Sequence, residues 1–203
     1  MERMDITVAS LLVAKGITCR YDAVISVETP GERRGLRFGR RPHPDHLVLQ
    51  FEDVDEDLRP GVACATPEQV REAIAFGRRH LSGRLLVHCW AGIARSSALA
   101  LAIIADRLGA GREDEAVATL RGLCPFAAPN LHVLGLADAE LRRGGRLVDA
   151  WMAVERASTG HRLHRMMKRL FLGGAKRIIG SRRPSAEGGI MRFPADGGLA
   201  PAM

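Results

Sequence analysis

Cys89 and Arg95 stand six residues apart in the stretch Leu85-Leu86-Val87-His88-Cys89-Trp90-Ala91-Gly92-Ile93-Ala94-Arg95-Ser96-Ser97. A thiol and a guanidinium at this spacing suit attack on an anion held between them. The apolar run before Cys89 has the character of a buried strand, and Ala98 to Leu108 that of an apolar helix. A strand that enters a tight loop and then a helix N-terminus is an anion site. Loop N–H groups converge there, and the helix dipole adds partial positive charge. Cysteines in such settings tend to the thiolate, the nucleophilic form. Arg95 offers a planar fork to two phosphate oxygens. The chemistry this points to is attack by Cys89 on a phosphate. The amides of Trp90, Ala91, Gly92, Ile93, Ala94 and Arg95 would cradle it. The competing reading is a buried strand-end cysteine with a solvated arginine nearby.

His-Cys-x5-Arg-Ser after a hydrophobic strand resembles the signature loop of the cysteine-dependent protein tyrosine phosphatases. The nearest resemblance is to the small bacterial and dual-specificity-like members. Its sharp part is those thirteen residues; element order and short echoes extend it from Tyr21 to Leu141. It implies hydrolysis of phosphotyrosine, and also of phosphoserine or phosphothreonine, through a phosphocysteine intermediate. It implies no metal and no cofactor. Ser96 resembles the hydroxyl that hydrogen-bonds the sulfur and eases its departure; capping the helix is compatible with that role. His88 is expected to orient the loop through hydrogen bonds. Trp90 reads as packing or pocket wall. Ala128-Pro129-Asn130 resembles the Ser-Pro-Asn that opens a late helix in dual-specificity phosphatases. Asn130 is thus expected to brace the signature loop, or simply to cap that helix.

The leaving alkoxide or phenoxide needs a proton from a carboxylic acid on a loop near the nucleophile. Glu52-Asp53-Val54-Asp55-Glu56-Asp57 holds five carboxylates in six residues. In the related phosphatases the acid lies just past the strand that precedes the helix leading into the signature strand. That match favours Asp53 over Asp55 and Asp57. The alternative is a solvated acidic loop. Two departures bear on substrate. No lysine flanks Cys89, unlike relatives acting on highly charged inositol lipids. No aromatic recognition segment is present, and the only tyrosine, Tyr21, starts a strand, which predicts a shallow pocket of low selectivity.

These residues need a scaffold. Tyr21 to Val27 and His46 to Phe51 read as β-strands, and Arg84 to His88 as a third that delivers Cys89. Ile6 to Ala14 fits a short helix or strand equally. Thr66-Pro67-Glu68-Gln69 is a helix start with a capping box and proline at the first position, and Ser82-Gly83 closes that helix. Further helices are expected from Arg95 to about Gly109, over Glu113 to Arg121, and from Leu131 to about Leu141. Strands alternating with helices predict an α/β fold: a single domain, its central, mainly parallel sheet flanked by helices, with a basic helical C-terminal extension. Ligands in such sheets bind beyond the carboxyl ends of the strands.

The 203 residues carry a formal charge of +7, and it is unevenly placed. Residues 1–150 hold 20 Lys/Arg against 20 Asp/Glu; residues 151–203 hold 10 against 3. We therefore expect a phosphatase domain over 1–150, then a basic amphipathic helix and disordered tail over 151–203. Leu163, Met166, Met167, Leu170 and Phe171 form an apolar stripe, with Arg162, Arg165, Lys168 and Arg169 around it. Residues 161–183 suit an anionic membrane surface, a protein partner, or docking on the domain itself. Nucleic acid is not expected, because aromatics are nearly absent there. Four widely spaced cysteines without Cys-x-x-Cys argue against a zinc site or disulfide scaffold. With no secretory or membrane-spanning pattern, the expected location is cytoplasmic, peripheral to membranes if the tail binds them. Two other readings differ in class. One is a catalytically weak relative that captures phosphoproteins. The other is an enzyme of different scope, a phosphatase of a non-protein phosphoester or a rhodanese-type sulfurtransferase.

Overall fold

Residues 23–28 are buried without a break, and a strand covered on both faces belongs in the middle of a parallel sheet. A computed structural model shows that arrangement. It describes residues 5–32, 35, 43–55, 61–163 and 165–167, and the backbone of 190–193. In chain order the elements are β1 (Asp5–Ser10), α1 (Leu11–Ile17), β2 (Ala23–Glu28), β3 (His46–Gln50), α2 (Pro67–Arg79) and β4 (Arg84–Cys89). There follow α3 (Arg95–Leu108), α4 (Glu113–Leu123), α5 (Leu131–Glu140), α6 (Arg146–Ala157) and β5 (Ile190–Phe193). A 3-10 turn at Thr18–Arg20 links α1 to β2. The sheet order is β1-β4-β2-β3-β5; the first four strands are parallel and β5 is antiparallel on β3.

Local sequence accounts for most boundaries. The ambiguous N-terminal run resolves into both candidates: strand to Ser10, then helix, with Ser10 Oγ accepting from Val13 N–H at the cap. The capping box at Thr66 and Gln69 is complete, and Pro67 opens α2. α3 is apolar on nearly all sides and is buried from Arg95 through Ala105, so it lies at the centre of the core. One core cluster joins β2, β3 and β4 to α2, α3, α4, α5 and α6.

α6 was not anticipated as a separate helix. It runs across residue 150, and its Trp151 is fully buried in the core cluster. The packed body therefore continues past 150, the point where composition changes. Residues 159–163 and 165–167 are helical as well. Among the described residues, no helix is long and apolar enough to cross a membrane. Residues 168–189 and 194–203, which carry most of the basic tail, lie outside the described residues.

Candidate active site

Cys89 ends β4, and Arg95 begins α3; the five residues between them form the loop. Its shape is enforced from outside. Leu11 N–H donates to Trp90 O at 3.1 Å, and Cys124 Sγ lies 3.7 Å from Gly92 O. Ala128 N–H and the Ser97 hydroxyl both donate to Ile93 O. Asn130 N–H and the same hydroxyl reach Ala94 O. A peptide's N–H points opposite its C=O. Carbonyls tied outward at Trp90, Gly92, Ile93 and Ala94 turn the following amides, those of Ala91, Ile93, Ala94 and Arg95, the other way. Gly92 N–H donates directly to Cys89 Sγ at 3.3 Å.

Gly92 is required on two counts. Its φ is +75°, and a Cβ there would sit 2.6 Å from Ala9 C and Ser10 N. The loop thus presses against the end of β1, where Ser10 pairs with Cys89. α3 has no side-chain cap at Ala94 and no acidic residue in its first turn. Its open N–H groups and dipole face the loop, an arrangement that favours an anion.

Cys89 is 3% exposed, and its sulfur lies 3.2 Å from Ser96 Oγ. Ser96 is fully buried. Arg95 is buried as well. Its Nη1 donates to Phe51 O at 2.8 Å and Thr29 Oγ1 at 3.2 Å. Its Nε has no hydrogen-bond partner among the described residues. A buried N–H without an acceptor is costly, and a phosphate oxygen would satisfy it. Burial, with Cys89 adding to it, pushes the Cys124 thiol up, so Cys124 stays a donor toward Gly92 O. Trp90, the first residue of the loop, is half-exposed.

The His88 Nε2 faces the neighbouring strand, and the ring also interacts with the Cys89 backbone. Its Nε2 is 2.5 Å from Ser26 Oγ, which is 2.6 Å from His46 Nε2. Ser26 and His88 are register partners on β2 and β4. A single hydroxyl proton serves both contacts, so one imidazole donates from Nε2 and the other accepts there. Burial pushes the His88 pKa down to about 4, which keeps it neutral near pH 7. Ser26 and His46 were missed from sequence. The available signal was a hydroxyl between apolar neighbours, Ile25 and Val27, in a buried strand.

The acidic candidates separate. Asp53 Oδ1 accepts from Asn130 Nδ2 at 2.9 Å. The Asp55 side chain is 7% exposed; its Oδ1 accepts from Leu131 N–H at 3.1 Å and is 3.1 Å from Arg165 Nη1. Asp57 lies outside the described residues. Asn130 is fully buried and serves three segments at once. Its Oδ1 caps α5 at Val133 N–H, its Nδ2 holds Asp53 and Val54 O, and its N–H holds Ala94 O. The side chain thus caps α5 and holds the Asp53 segment, while its contact with the signature loop is made by the backbone N–H alone. Among the described residues, no group of three or more His, Cys, Asp or Glu could hold a metal ion.

No family model matches the sequence, and no curated protein does. Solved structures match by shape. Human DUSP28 superposes with a TM-score of 0.51 at 18% identity, covering 68% of this chain and 91% of that one. Tk-PTP in its active form gives 0.50 at 16%, covering 70% and 94%. The PTP-2 phosphatase of Cydia pomonella gives 0.50 at 19%, covering 68% and 86%. The fold is that of the cysteine-dependent protein tyrosine and dual-specificity phosphatases.

Proposed function

We propose that the chain is a cysteine-dependent phosphatase of phosphoprotein monoesters, phosphotyrosine first and phosphoserine or phosphothreonine also. The observation that carries this reading is the loop itself. Its carbonyls are tied outward, the Cys89 sulfur lies against Gly92 N–H and Ser96 Oγ, and the buried Arg95 Nε awaits an acceptor.

The phosphate sits on the loop amides, the open N-terminus of α3 and the Arg95 fork. The anionic Cys89 sulfur attacks phosphorus, and a P–S bond replaces the P–O bond to the leaving group. Asp53, in its acid form, gives that oxygen its proton. Asp53 then takes a proton from water, whose oxygen attacks phosphorus and breaks the P–S bond. The Ser96 hydroxyl donates to the departing sulfur. Asn130 holds Asp53 from one side, and Phe51 O and Thr29 hold Arg95 from the other. Asp55, closed in a buried pair with Arg165, is assigned to holding its loop. His88 braces β4 against β2.

Purified protein should hydrolyse p-nitrophenyl phosphate in EDTA. Cys89→Ser should abolish turnover, and Asp53→Asn should lower kcat on phenyl phosphate, whose leaving group needs the proton, by about 10²-fold, within the usual range for a general acid. Full activity in Cys89→Ser would sink the mechanism. Activity retained in Asp53→Asn but lost in Asp57→Asn would move the acid. Sulfur transfer from thiosulfate without phosphatase activity would favour the rhodanese reading. Phosphopeptide binding without turnover would favour the capture protein.

We also propose that the face carrying the loop meets an anionic membrane surface. Exposed Leu12 and Val13 follow Leu11, which bonds Trp90 O; exposed Leu123 and Phe126 flank Cys124, which lies against Gly92 O. Leu163, Met166 and Met167 are exposed around Arg165, which bonds Pro129 O. The chain then continues into Lys168, Arg169, Lys176, Arg177, Arg182 and Arg183. Apolar groups for the interface and cations for anionic headgroups are the two ingredients of peripheral binding.

A further inference from the structure

Arg165 differs from its place in the sequence pattern. There it is one of several cations around an apolar stripe. In the structure it is 6% exposed and closes a buried cluster with two carboxylates. Its Nε and Nη2 donate side by side to the Glu155 carboxylate at 2.5 and 2.6 Å. Nη2 also donates to Pro129 O at 3.2 Å, and Nη1 lies 3.1 Å from Asp55 Oδ1. Burial alone would lower the guanidinium's pKa; Glu155 and Asp55 more than offset it and raise it. Trp151 Nε1 donates to Glu155 Oε2 at 3.1 Å, which ties the cluster to the core.

Two of these contacts straddle Asp53. Asp55 is two residues beyond it on the same loop. Pro129 immediately precedes Asn130, whose side chain holds the Asp53 carboxylate and Val54 O. The segment from Phe51 to Val54 has no regular secondary structure of its own, so its course depends on such tethers. A planar fork with five N–H donors is suited to tethering, because it bridges three acceptors in fixed geometry. Misplacing a reacting group by about 1 Å can cost on the order of 10²-fold in rate.

We propose that Arg165 is a positioning residue for the general acid: it fastens the helical segment after α6 to the Asp53 loop and to the base of Asn130. Of the C-terminal segment it is Arg165 that acts on the catalytic loop, and the proposal rests on Asp53 being the acid. Glu155 serves as its anchor on α6.

The test compares two soluble substrates with the full-length protein. p-Nitrophenyl phosphate has a leaving group that needs little protonation; phenyl phosphate has one that needs much. Relative to wild type, Arg165→Met should lose about tenfold more kcat on phenyl phosphate than on p-nitrophenyl phosphate, with KM for both changed by less than about twofold. The limb of the kcat–pH profile that belongs to the acid should flatten. Arg165→Lys should fall between, because it restores charge without the fork. Asp55→Asn should repeat the leaving-group signature while Arg165 keeps its bond to Glu155, so it carries the test if Arg165→Met does not fold. Equal losses on both substrates, or a change confined to KM, would overturn the proposal and leave Arg165 a structural residue. The controls separate this proposal from its premise. Wild-type protein inactive on both esters sinks the phosphatase reading and this one with it. An active wild type with a leaving-group-sensitive Asp53→Asn and an insensitive Arg165→Met sinks only this one.

Discussion

Gly92 carries two constraints that no other side chain meets: a left-handed backbone and contact with the chain of β1. Gly92→Ala should therefore cost about 2 kcal/mol or more in stability and most of the activity. Urea unfolding and p-nitrophenyl phosphate turnover read the two effects. His88 makes a prediction about pH. Its pKa is about 4 when folded against 6.5 for the free group, so the unfolded chain binds the extra proton between those values. The stability tied to its neutral form is fully present above pH 6.5 and is lost as pH falls toward about 4. By linkage it amounts to about 3 kcal/mol for such a shift. Denaturation at pH 6.5 and 4.5 should show this fall in wild type and a smaller one in His88→Gln. An equal fall in both would assign the acid sensitivity to other groups.

At the scale of elements, α6 decides where the packed body ends. Trp151 fills the core and donates to Glu155. Trp151→Ala should destabilise the protein by about 3–5 kcal/mol, as for large aromatic cavities elsewhere. A loss below about 1 kcal/mol by thermal or chemical melting would return α6 to the status of an appendage. The sequence conceals α6 for a physical reason. Trp151 is its only fully buried aromatic, and the charge balance changes at the same point in the chain, so composition drew a boundary through a helix. Elsewhere local signals sufficed. Thr66-Pro67 opened a helix, the alternation of strands and helices predicted the parallel sheet, and the spacing of Cys89 and Arg95 located the loop. What local signals could not show was pairing across the chain. Arg165 meets Asp55 over more than a hundred residues, and nothing nearby marks one arginine in a basic run as the buried one. The His46–Ser26–His88 ladder is hidden similarly, one residue on each of three strands. Asp53 and Asp55 likewise differ by distant partners, Asn130 for the first and Arg165 for the second, that the acidic run does not reveal.

For the molecule as a whole, exposed Leu12, Val13, Leu123 and Phe126 lie on segments that bond the Cys89 loop. The membrane proposal predicts co-sedimentation with phosphatidylcholine vesicles containing phosphatidylserine, weakened by salt because the attraction is screened. A Met166→Ser, Met167→Ser double variant should bind less and keep wild-type turnover of a soluble aryl phosphate. Equal binding to neutral vesicles, or none, would overturn it, and the second result would leave that face to a protein partner. The parallel pairing of β1 with β4 has a further consequence, for the order of events as the chain is made. Ser10 finds its partner only when Cys89 has been synthesised, and Gly92 cannot seat until β1 is in place. The segment holding Asp53 and Asp55 then waits for Arg165. Such distant closures slow folding. A nascent chain should have sheet and core well before the Cys89 loop is seated, and the phosphatase activity proposed for it should return last on refolding from denaturant.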